Sequence, residues 1–102
     1  MNTKQEPDFL SLEQKLNCYI SIGKELGVKG NFAQAERTLK TAISMAERES
    51  GKDNIIVGYV LIELCDLYEK EGMEKDAQKA WKRLSLILEK YSDWIDLKRV
   101  RK

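Results

Sequence analysis

The chain has 102 residues, enough for a single domain with a modest core. Its 18 basic residues nearly cancel its 17 acidic ones, which argues against a general nucleic-acid binder or an acidic tail, and a hydrophobic content of 42% excludes wholesale disorder. Histidine is absent, so Ser-His and Cys-His catalytic pairs and histidine-based metal sites are excluded.

Residues 1–10 read as a flexible, polar N-terminus carrying Glu6, Pro7 and Asp8. They lack the basic start and apolar stretch of a signal peptide, and no run of about 18 apolar residues follows anywhere. A cytoplasmic location is therefore expected. Pro7 is the only proline, so nothing after it breaks a helical pattern.

Ser11 opens the first predicted helix, and Gln14 completes a capping box with it. Leu12, Leu16, Tyr19, Ile20, Gly23 and Leu26 follow at helical spacing, and Gly27 and Gly30 end the segment. Asn31 begins a second helix, with Gln34 again three residues on; Phe32, Ala35, Leu39, Ala42, Ile43 and Ala46 share its apolar face. Ser50 and Gly51 stop it. Asp53 is the expected N-cap of a third helix bearing Ile56, Val60, Leu61, Leu64, Cys65, Leu67 and Tyr68, which stops near Gly72. A fourth helix is expected from Glu74 to Lys90, with Ala77, Ala80, Trp81, Leu84, Ile87, Leu88 and Tyr91 apolar. Ser92 is placed as the cap of a last short helix holding Trp94, Ile95, Leu97 and Val100. Cys18 and Cys65, amid apolar neighbours, read as small buried hydrophobes, and no structural disulfide is expected.

The chain also repeats itself. Tyr19, Ile22, Gly23 and Leu26 are spaced like Leu61, Leu64, Cys65 and Tyr68. Gly30 answers to Gly72, Ala35 to Ala77, Leu39 to Trp81 and Ala42 to Leu84, always 42 residues on. A fixed period in this range signals stacked helix pairs. Small residues at Gly23, Ala35, Ala42 and Ala77 would let helices approach closely, while Tyr19, Leu39, Tyr68 and Trp81 would fill the spaces opposite. A four- or five-helix bundle with chance periodicity is the competing architecture.

These residues resemble the tetratricopeptide repeat (TPR): Tyr19-x2-Ile22-Gly23-x2-Leu26 then Ala35-x3-Leu39, and Leu61-x2-Leu64-Cys65-x2-Tyr68 then Ala77-x3-Trp81. The closing proline is absent and the period exceeds the usual figure of about 34. In this it is similar to the longer repeats of kinesin light chains, the extra residues falling at the end of the second helix and around Gly51. The resemblance implies an all-α, right-handed α-α superhelix: two stacked helix-turn-helix repeats over residues 11–91 (about 11–51 and 53–91), then a C-terminal capping helix and basic tail over 92–102.

It also implies a protein–protein interaction module, an adaptor or scaffold that takes a peptide or helix of a partner protein on its concave face. Carried over by position, that face holds Asn17, Ile20, Ser21, Lys24 and Gly27 from the first pair and Tyr59, Ile62, Glu63, Asp66 and Glu69 from the second. The acids at 63, 66 and 69 do not suit a clamp for a C-terminal carboxylate. Tyr59 and Ile62 read either as anchors for a ligand or as plain core or surface residues. Two repeats fall short of the roughly three needed for stable stacking, so a homodimer, a partner subunit or a cap is expected. Trp94 and Ile95 are the candidates for that end-cap or self-association.

No enzyme is expected, and no catalytic, cofactor-binding or metal-binding residue is assigned. Glu63 and Asp66 share a helix face but read as solvated, and Lys24 to Gly30 lacks phosphate-loop order. No cofactor, membrane or nucleic-acid partner is expected. The alternative function is a nucleic-acid-associated or enzyme-regulatory helical protein acting through the basic tip of Lys98, Arg99, Arg101 and Lys102.

Overall fold

A computed structural model describes the backbone of residues 11–100 and the side chains of residues 11–91. Four α-helices follow one another: α1 (Leu12–Val28), α2 (Phe32–Ser50), α3 (Ile55–Glu71) and α4 (Glu74–Val100). The N-terminal segment 1–10 lies outside the described residues, as do the side chains of Trp94 and Ile95.

The expected capping box starts α1. Gln14 N donates to Ser11 Oγ (3.1 Å), and Ser11 N donates back to Gln14 Oε1 (2.9 Å). The box proposed for α2 does not form: Asn31 occupies the N-cap position, but its side chain accepts no cap hydrogen bond. The cap of α3 is Asn54 rather than Asp53. Asn54 has the extended backbone a cap requires and its Oδ1 accepts from Ile56 N at 2.8 Å, while Asp53 sits one residue too early and pairs with Lys90 at 3.7 Å. The expected break at Ser92 is also absent. No glycine or proline follows Gly72, and serine alone does not end a helix, so α4 runs on to Val100.

The two turns inside the helix pairs are built alike. After α1, Asn31 N donates to Leu26 O (2.8 Å) and Gly30 N to Gly27 O (3.1 Å). After α3, Met73 N donates to Tyr68 O (2.9 Å) and Gly72 N to Glu69 O (3.1 Å). Both are Schellman motifs, closed by a glycine at φ +86° and +78° respectively, a conformation that side chains with a Cβ resist.

The helices pack as two antiparallel pairs, α1 with α2 and α3 with α4. Helix α3 also lies against both α1 and α2, whereas α4 contacts only α3 through its backbone among the described residues. A closed ring of four would bring α4 against α1, and here the ring stays open. The core runs through the layer between the pairs: Leu39, Ala42, Ala46, Val57, Val60, Leu64, Cys65, Leu84 and Ile87 are buried. Side chains tie the pairs together. Tyr68 Oη donates to Glu36 Oε2 (2.7 Å), and Arg83 pairs with Glu47 and donates to Lys52 O (3.1 Å); within the second pair, Ile55 N donates to Tyr91 Oη (3.3 Å).

Three apolar residues lie elsewhere than their spacing implies. Trp81 is 45% exposed and Leu88 42%, although Leu39 and Ala46, their counterparts 42 residues earlier, are buried. Helix α2 packs against both α1 and α3, whereas among the described residues α4 packs against α3 alone. Cys18 is exposed; only Cys65 is the buried hydrophobe expected, and burial pushes its thiol up to about 11.

Candidate functional site

Helices α1 and α3 run side by side in the same direction, with Leu16 and Ile20 level with Ile56–Val60 and Gly27 against Leu67. Small residues permit this approach. A Cβ on Gly27 would stand 3.0 Å from a methyl of Leu67, and Gly23 is just as close to Leu39 of α2. Between the N-terminal halves of α1 and α3 a groove of about 460 Å³ opens. Its floor is apolar, made by Leu16, Ile20, Ile56 and Val60. Tyr59 and Ile62 stand on its wall, 62% and 44% exposed. Asn17, Glu13 and Glu63 supply the polar rim, and among the described residues no lysine or arginine lines it.

Asn17, Ile20, Tyr59, Ile62 and Glu63, all assigned to one face from sequence, therefore meet in this groove. The exposure of Tyr59 and Ile62 rules out the reading of them as core residues. Lys24 and Asp66 lie farther along the same interhelical line, in a cleft of about 50 Å³ shared with Gly23, Gly27, Glu63 and Lys70. Asp66 is paired there with Lys70 at 3.3 Å. Glu69 does not join them. Its carboxylate accepts from Trp81 Nε1 at 2.9 Å, which turns it towards α4. Four groove residues escaped the sequence reading as site members: Glu13 and Ile56, and Leu16 and Val60, which read as core positions alone. Glu13 precedes Asn17 by four positions and Ile20 by seven, so the face pattern of α1, extended one turn backwards, reaches it.

Chemically the groove offers one exposed phenol, an apolar floor and two carboxylates. Among the described residues no group of three Cys, Asp or Glu side chains is arranged to hold a metal ion. Likewise, among those residues no helix is long and apolar enough to cross a membrane. The acid–base groups with a resolved shift lie elsewhere. The Tyr68 hydroxyl holds the Glu36 carboxyl below its ordinary range, and burial, then the bond to Glu36, pushes Tyr68 upward. That pair faces the contact between α2 and α3 and does not open into the groove. A scan against models of protein families finds no match, and searches among curated proteins and solved structures find none either.

Proposed function

We propose that this chain is a protein–protein interaction module of tetratricopeptide-like design, two helix-turn-helix units in right-handed succession, which takes a peptide or helix of a partner protein in the groove between α1 and α3. One observation carries the reading: an exposed Tyr59 and Ile62 stand beside a buried floor of Leu16 and Val60. Aromatic side chains held on a rigid helix over an apolar floor anchor ligands at small entropic cost. Support for the repeat design comes from the two Schellman turns 42 residues apart, and from the placing of α3 against both helices of the preceding pair. The reading assigns no catalytic residue and no cofactor.

Affinity capture from the native host with the full chain tests it, using a Tyr59→Ala/Glu63→Ala variant as the control. Tyr59 is exposed and Glu63 only half-buried with no described partner, so the variant should melt within a few degrees of the parent. Partners held by the parent should be lost by the variant. Partners retained equally by both would sink the groove reading.

A further inference from the structure

Among the described residues the groove carries two carboxylates and no cation, which favours an occupant that brings positive charge alongside apolar bulk. This chain contains such a segment. Residues 92–102 place Trp94, Leu97 and Val100 at intervals of three and add Lys98, Arg99, Arg101 and Lys102. Nowhere else in the sequence do four basic residues crowd into five positions.

The segment is ill placed for its own groove. Tyr91 stands level with the start of α3, where its hydroxyl accepts from Ile55 N. Beyond it α4 remains one helix as far as Val100, and at 1.5 Å per residue this carries the chain about 13 Å past that point. An unbroken helix does not turn back on itself, and among the described residues α4 has no backbone contact with α1. A neighbouring molecule faces no such constraint.

Resting on the groove reading above, we propose that the occupant is the 92–102 segment of a second copy of this chain. Each copy lends its basic, apolar end to the other, the apolar residues meeting Ile20 and Tyr59 and the basic ones meeting Glu13 and Glu63. The exchange is reciprocal and closes as a two-fold dimer.

Charge reversal in the full-length chain tests this by light scattering at low salt. The wild type should be a dimer at about 100 μM. Glu13→Lys/Glu63→Lys and, separately, Lys98→Glu/Arg99→Glu/Arg101→Glu should each weaken self-association at least tenfold. An equimolar mixture of the two variants should restore the dimer, since each acidic end then meets a basic groove and each basic end an acidic one. If the groove reversal lowers the melting temperature, the tail reversal reads the same contact from the other side. A monomeric wild type overturns the proposal, and so does a dimer indifferent to either reversal. Failure of the mixture to reassociate overturns the exchange between copies. A monomer whose Tyr59→Ala/Glu63→Ala variant still loses its captured partner overturns the exchange while the groove reading stands.

Discussion

Tyr68 and Glu36 form the most constrained polar contact in the described molecule. Tyr68 is 4% exposed and gives its only hydroxyl proton to a carboxylate on another helix, at 2.7 Å, while Lys40 approaches the same oxygen at 3.0 Å. A hydrogen bond to a charged acceptor is worth more than a neutral one, and partial exposure of Glu36 trims the gain to about 1–1.5 kcal/mol. Tyr68→Phe is therefore expected to lower stability by that amount at neutral pH. The effect depends on pH with a definite sign. Glu36 has a folded pKa below its unfolded value, so its contribution is full above the unfolded value and is lost as pH falls through the folded one. Urea midpoints of wild type and Tyr68→Phe should thus differ most near pH 7 and converge below about pH 4. A gap that stays constant down to pH 3 would mean that the hydroxyl acts by packing alone.

At the scale of the helices, two glycines inside helices, Gly23 of α1 and Gly58 of α3, have opposite roles. A Cβ at Gly23 would lie 2.8 Å from both Cγ and Cδ2 of Leu39, a side chain that is 1% exposed and has nowhere to move. Overpacking at this site outweighs the helix-propensity gain, and Gly23→Ala should lose about 1–2 kcal/mol. At Gly58 the nearest atoms are 3.5 Å from Leu84 and 3.6 Å from Ile87, ordinary contact distances. Gly58→Ala should gain about 0.5–1 kcal/mol. Thermal denaturation of the two variants checks the pair; a Gly23→Ala variant as stable as the parent or more so would show that the spacing of α1 and α2 is not set by Gly23.

The same scale shows what sequence reveals and what it hides. Helix positions follow from apolar spacing, and the turns at Gly30 and Gly72 follow from glycine where a left-handed residue is needed. The groove face of α1 and α3 is also legible, because Asn17, Ile20, Tyr59, Ile62 and Glu63 share one side of their helices. The exchange of Asp53 for Asn54 as cap is not, since both side chains cap well and only backbone geometry decides. Nor is the turn of Glu69 towards Trp81, which depends on where the indole points across a helix pair.

For the whole molecule, the decisive asymmetry is that α2 is covered and α4 is not. Ala46 and Leu88 occupy equivalent positions, yet Ala46 is fully buried and Leu88 is 42% exposed. The pattern of apolar residues along α4 resembles that along α2, and so sequence alone gives both the same burial. The difference follows the packing: α2 lies against both α1 and α3, while among the described residues α4 lies against α3 alone. One substitution placed at both positions measures this directly. Ala46→Gln forces a larger polar group into a filled layer without a partner, and should cost about 3 kcal/mol or more. Leu88→Gln exchanges one partly wet side chain for another, and should cost less than about 1 kcal/mol. Chemical denaturation at low protein concentration, where any dimer has dissociated, isolates the fold of one chain. If Leu88→Gln is as damaging there as Ala46→Gln, the α4 face is covered within the chain and the stack is closed. If instead its cost grows only as protein concentration rises, the face is covered by another molecule, and the open end of α4 is an interface in addition to the α1–α3 groove.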